Sequence, residues 1–223
     1  MKPLETLART TTPDGTALVL TRRDGIYRLM LDGQELMSSR AHGSERALAE
    51  RACARLAGHP NPRLLVGGLG CGYTLRAALD ASPPGAQLVV CEFFELVVDA
   101  HRQWLGELTG HPLDDPRVRL ERCDLRRLLP SDEPFDAILL DVDNGPWAFT
   151  LPTNGELYSP QGLTHLLASL APGGVLAVWS AEPCPEFTER LTRAGFAANC
   201  ERADSHGRRH WLFFGQRSRR AGT

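Results

Sequence analysis

Apolar and polar residues alternate along "TALVLTRRDGIYRLMLDGQELMSS" (residues 16–39), and the dipeptides Asp24-Gly25 and Asp32-Gly33 interrupt the alternation. That pattern predicts a small antiparallel β unit of about three strands joined by tight hairpins. In "SERALAERACARLAGH", Leu48, Ala52 and Leu56 recur at helical spacing, with Ser44 placed to cap the start and "PNP" to end the run. From Arg63 onward the pattern changes to short apolar runs alternating with helical ones. "RLLVG", "AQLVVCE", "RVRLERCD", "FDAILLDVD" and "GGVLAVWS" read as strands, while "YTLRAALDA", "ELVVDAHRQWLGEL", "SPQGLTHLLASL" and "CPEFTERLTRAGF" read as helices. "ANCERA" and "RRHWLFFGQ" close the chain as a β pair. The alternation predicts a doubly wound, Rossmann-like α/β fold with a seven-stranded sheet, preceded by the small β unit. The boundary falls between residues 1–42 and 43–223.

Composition narrows the function. The chain has 223 residues, 42% of them hydrophobic and 23% charged, enough for a substantial core, and a formal charge of -2. That balance argues against a nucleic-acid or membrane-surface partner, either of which needs a concentrated positive field. The basic stretches "GRRH" and "RSRRAGT" read as a hairpin turn and a solvated tail. Six cysteines stand singly, without the spacing of a metal site, which predicts reduced thiols, a cytoplasmic protein and no metal. No apolar run reaches the length of a membrane span, and "MKPLETLARTTTPDG" lacks the apolar core of a signal peptide.

The chemistry concentrates in "PRLLVGGLGCGYTLRAAL" (residues 62–79). A strand runs into Gly68, Gly70 and Gly72 and then into a helix, so the backbone can approach a ligand closely. A dinucleotide fingerprint would need a third glycine where Tyr73 stands, which disfavours a nicotinamide enzyme. Glu92 follows the last glycine by 20 residues, the usual place for a carboxylate that accepts ribose hydroxyls. Asp124 closes the next strand, where it could accept from an adenine amino group. The three features describe an adenosine-shaped pocket with no provision for a pyrophosphate.

With "LMLDGQELMSS", "GSE", "VVCEFFELVV", "RVRLERCDLRRLL", "FDAILLDVDNGP", "ELYSPQGL" and "LAPGGVLAVWS" in that order, the chain resembles the spermidine synthase (polyamine aminopropyltransferase) family. That family lies within the class I S-adenosylmethionine-dependent methyltransferase superfamily. The resemblance implies a methyltransferase-type sheet, a donor of the S-adenosylmethionine or decarboxylated S-adenosylmethionine type, a small-molecule acceptor and a homodimer.

The departures from the family pattern bear on the reaction. Aligned on Thr74-Leu75-Arg76, the aspartate of the family's glycine loop falls on Cys71. In the family that aspartate helps to hold the free amine of the decarboxylated donor. A neutral cysteine there removes an attraction for that amine and a repulsion for the carboxylate of intact S-adenosylmethionine. Gly43 replaces the family's diamine-binding tyrosine, Glu45 remains, and the acidic loop is the short "DVDNGP". Asp141 and Asp143, at i and i+2, are the candidate catalytic bases, able to take a proton from an attacking amine. Glu45, Trp147 and Tyr158 are the candidate acceptor contacts, the aromatic faces suiting cationic charge. His101 and His165 read as helix surface or packing residues. Methyl transfer from S-adenosylmethionine to a small, amine-bearing acceptor is the expected reaction. Aminopropyl transfer to a polyamine is the first alternative, and a non-catalytic nucleoside sensor the second.

Overall fold

The computed structural model describes residues 3–13, 15–142, 145–146 and 154–219. The N-terminal sheet contains β1 (Glu5–Thr11), β2 (Ala17–Arg23), β3 (Ile26–Leu31) and β4 (Gln34–Ser38), antiparallel and in that spatial order. Both predicted hairpins have positive φ at two successive residues, Asp24-Gly25 and Asp32-Gly33, the geometry that matches the twist of the flanking strands. β1 lies outside the predicted elements. Its sequence ETLARTT lacks apolar alternation and is largely exposed; backbone pairing with β2 holds it at the edge, with Leu7 and Ala8 packed against the first core.

The larger unit contains α1 (Gly43–Ala54), β5 (Arg63–Gly67), α2 (Tyr73–Ala81), β6 (Gln87–Cys91), α3 (Glu95–Ala100), β7 (Val118–Glu121) and β8 (Phe135–Leu140). It continues through α4 (Asn154–Leu157), α5 (Pro160–Ala168), β9 (Leu170–Ser180), α6 (Pro185–Arg193), β10 (Ala197–Ser205) and β11 (Arg208–Gln216). The seven strands are ordered β10-β11-β9-β8-β5-β6-β7. β5 to β9 run parallel, and β11 returns antiparallel between β9 and β10. Sequence order reverses between β5 and β8, so the carboxyl ends of these strands open on the crevice where such sheets take their ligands.

Strands buried on both faces place successive side chains in different cores. Leu64 and Val66 join Leu75, Leu48, Leu18 and Leu212 on one face. Leu65, Ile138, Leu163, Phe187 and Phe213 pack together on the other. The first core includes residues of β2 and β3, so the small sheet shares its apolar interior with α1 and α2.

Two helix ends differ from the sequence reading. α1 begins at Gly43, and Ser44 sits buried in its first turn, donating to Glu45 Oε2 at 2.6 Å instead of capping. The Gly43 N–H is met from the far end of the chain, by Ser205 Oγ at 3.0 Å. The predicted helix from Glu95 to Leu108 is α3 followed by a π-turn over His101–Leu105 and a 3-10 turn over Gly106–Thr109. Among the described residues no helix is long and apolar enough to cross a membrane.

Candidate active site

A cavity of about 280 Å³ opens at the carboxyl ends of β5, β6 and β8. Its floor is the glycine turn from Gly68 to Gly72, and β4 covers it through Leu36 and Met37. Gly68 adopts φ 86°, and a β-carbon there would collide with the Asp141 carbonyl oxygen. Gly72, at φ 84°, leaves no room either, since a β-carbon would lie 2.7 Å from His101 Cε1. Glycine is therefore required at both positions by conformation and by close approach.

His101, read from the sequence as a packing residue, is what braces this turn. Its ring is buried, and Nε2 lies 3.0 Å from the Gly70 carbonyl oxygen. Burial pushes the imidazole down to about 4, so it is neutral at pH 7. A carbonyl can only accept, which puts the proton on Nε2. The π-turn at His101 to Leu105 directs the ring there, a local irregularity with no signature in the apolar pattern.

Glu92 and Asp124 occupy different situations. Glu92 is buried at the cavity wall, and its two oxygens accept the N–H groups of Leu69, at 3.0 Å, and Phe94, at 2.8 Å. It thereby ties the glycine turn to the end of β6. Burial raises its pKa, against the opposing pull of these backbone donors. Asp124 also lines the cavity, but it lies three residues beyond β7 and caps a 3-10 turn through the Arg126 N–H at 2.9 Å. The Arg126 guanidinium engages the same carboxylate at 2.6 Å and holds its pKa below the ordinary value. Between these acids Phe93 presents a large apolar side chain, 39% exposed, to the cavity. In the sequence it falls between the strand ending at Glu92 and the helix beginning at Glu95, where no pattern marks it.

On the opposite side, Glu45 from α1 and Asp141 from the end of β8 both line the cavity. Thr74 Oγ1 donates to Asp141 Oδ2 at 2.7 Å, which fixes that carboxylate beside the first turn of α2. Burial, together with the charge of Asp141, raises Glu45 to about 7. Asp141 is likewise raised by burial, against the Thr74 hydrogen bond. Cys71 lies near both, 7% exposed, with Sγ 3.8 Å from Met37 Sδ. Burial and the two neighbouring carboxylates push its thiol up to about 12, so it stays protonated.

The structure thus brings Gly68, Gly70, Cys71, Gly72, Glu92, Asp124, Glu45 and Asp141 to one cavity. Tyr158 is a correction. Its ring is 1% exposed, lies edge-on to Phe187 at 5.6 Å and packs in the second core, away from the cavity. Asp143 and Trp147 lie outside the described residues.

Compared with models of protein families, the chain matches none. Among curated proteins, it is 29% identical over 170 residues to a polyamine aminopropyltransferase of Mycobacterium tuberculosis and, equally, to one of Mycobacterium bovis. The alignment covers 74% of this chain and spans 31% of those relatives. Among solved structures, a spermidine synthase from Thermotoga maritima superposes with TM-score 0.77 at 20% identity, covering 96% of this chain and 73% of that one. The chain is spermidine synthase-like in sequence and in fold. A spermidine synthase in complex with the transition-state analogue AdoDATO gives TM-score 0.74 at 19% identity, covering 96% of this chain and 73% of that one. A probable spermidine synthase from Corynebacterium glutamicum gives 0.67 at 16%, covering 97% and 81%.

These relatives overturn methyl transfer as the leading reading, since the curated match is an aminopropyltransferase and the structural matches are spermidine synthases. The reason lies around Cys71. Read along the sequence, cysteine removes the negative charge of the spermidine synthase-like loop. In space, the retained carboxylates Glu45 and Asp141 still surround that position, close enough that both act on the Cys71 thiol. The charge around that position remains suited to a cationic group.

Proposed function

We propose that this chain carries an aminopropyl transfer site, moving the aminopropyl group of decarboxylated S-adenosylmethionine to an amine acceptor. The observation that carries the reading is the pair of carboxylates, Glu45 and Asp141, acting on a protonated Cys71 in the cavity that also holds the glycine turn and Glu92. The glycine turn would pass beneath the sulfonium end of the donor, Glu92 would face the ribose and Phe93 would offer its ring to the adenine. Asp124, already held by Arg126, would border the base. The free ammonium of the aminopropyl arm would lie toward Glu45 and Asp141, where the carboxylate of intact S-adenosylmethionine would be repelled.

An acceptor amine must lose its proton before it attacks the carbon next to sulfur. As the new C–N bond forms, the C–S bond breaks, the sulfur keeps the electron pair and 5′-methylthioadenosine leaves. Asp141, its carboxylate oriented by Thr74, would take that proton.

Mass-spectrometric detection of 5′-methylthioadenosine from the decarboxylated donor, with a panel of diamines and amino acids as acceptors, tests the reading. Turnover is expected, with Asp141→Asn lowering kcat by about 10²-fold or more. Donor binding without product from any acceptor would replace the transferase with a nucleoside-binding protein.

A further inference from the structure

The acceptor side of the cavity has a second edge that the acids do not account for. β11 begins at Arg208 and returns beside the carboxyl end of β9, which brings Arg208, His210 and Trp179 to the cavity wall. Arg208 and His210 are at i and i+2 and face the same side of the strand. Two residues further on, Leu212 occupies that side and packs in the core shared with α1 and the small sheet.

The polar groups at this edge lack partners. Arg208 is exposed and, among the described residues, makes no ion pair, although the cavity contains carboxylates. Trp179 Nε1 and His210 Nδ1 are buried without a hydrogen-bond partner, and the two rings lie 5.1 Å apart. A buried indole N–H left unmet is costly, and an indole nitrogen can only donate. His210 can donate from Nδ1 when its other nitrogen is unprotonated. A guanidinium beside two such groups is matched by an anionic oxygen acceptor, and a carboxylate fits that chemistry best at the scale of a cavity of about 280 Å³.

We propose that Arg208, Trp179 and His210 form a carboxylate subsite, so that the acceptor is an amine that also bears a carboxylate, such as a diamino acid. A plain diamine would satisfy the acidic edge at Glu45 and Asp141 and leave the opposite edge unmet. The inference rests on the aminopropyl transfer reading for its reaction, but the subsite can be tested by binding alone.

Putrescine and ornithine differ by one carboxylate and are the matched probes. Calorimetric titration of each into the full chain saturated with 5′-methylthioadenosine measures the subsite without turnover. Ornithine is expected to bind about tenfold or more tightly than putrescine. Arg208→Gln should erase that preference by weakening ornithine alone, and Trp179→Phe should weaken ornithine in the same direction. Arg209→Gln, next along the strand and not part of the cavity wall, should leave both affinities unchanged. Equal or tighter binding of putrescine, absence of binding by both, or an Arg208→Gln variant that binds both like the wild type would overturn the subsite. The same two acceptors in the 5′-methylthioadenosine release assay separate the two questions. Ornithine preference in binding with no product from either acceptor keeps the subsite and removes the transfer reaction. Turnover of putrescine over ornithine does the reverse.

Discussion

Glu45 shows how much a single side chain's environment decides. Taken from the ordinary carboxylate range to about 7 by burial and by the charge of Asp141, it holds its proton through mildly acidic pH. A carboxyl whose folded pKa is raised binds protons more tightly in the native state, so its favourable contribution is complete at low pH and disappears as pH rises through 7. Glu45→Gln, which cannot ionise, is therefore expected to melt with the wild type at pH 4 and above it at pH 8, by calorimetry across that range. A variant less stable than the wild type at pH 8 would mean that the Glu45 carboxylate is held by favourable partners. The glycine turn and Glu92 stand in the sequence as a strand-to-helix turn and an acid 20 residues beyond it, whereas Glu45 is singled out only by the family resemblance. The meaning of Cys71 was not legible there, because it depends on Glu45, 26 positions earlier, and Asp141, 70 positions later, which only the fold brings beside it.

At the scale of elements, legibility followed the strength of the local pattern. α2 spans Tyr73–Ala81 as its apolar spacing predicts, and α5 starts where Ser159 precedes Pro160. Ser159 Oγ accepts the Gly162 N–H at 3.1 Å and donates to the Glu156 carbonyl at 2.7 Å, joining α4 to α5. Ser159→Ala should cost about 1 kcal/mol. In thermal denaturation that is a fall of roughly 2–4 °C. An unchanged midpoint would show that Pro160 alone sets the start of the helix. β1 went unseen because edge pairing needs no apolar alternation, and the π-turn after α3 because its helical pattern continues through it. Arg208, Trp179 and His210 were hidden for a different reason. They meet only through the antiparallel return of β11, and their run of basic residues reads as a solvated turn.

Across the whole molecule, the small sheet and the large one depend on each other. Leu18, Leu20 and Leu29 of the first share a core with Leu48 of α1 and Leu75 of α2. Tyr73, at the start of α2, donates to the Ser39 carbonyl at 3.2 Å and stacks on His42 at 4.1 Å. Unfolding should accordingly be a single transition by differential scanning calorimetry, and Leu20→Ala should lower it as a whole, by about 2–5 kcal/mol. A separate early transition would identify the N-terminal sheet as an independent unit.

The hydrogen bond from Gly43 to Ser205, and the cavity wall shared by Met37, Glu45 and His210, also have a meaning in time. A chain leaves the ribosome from its N-terminus, at about 5–20 residues per second. Met37 and Glu45 leave the ribosome well before His210, their partner on the cavity wall. The cavity wall that carries Arg208 and His210 cannot close until the β10–β11 hairpin is free. The pocket is thereby completed by the β10–β11 hairpin, after its other walls have been made.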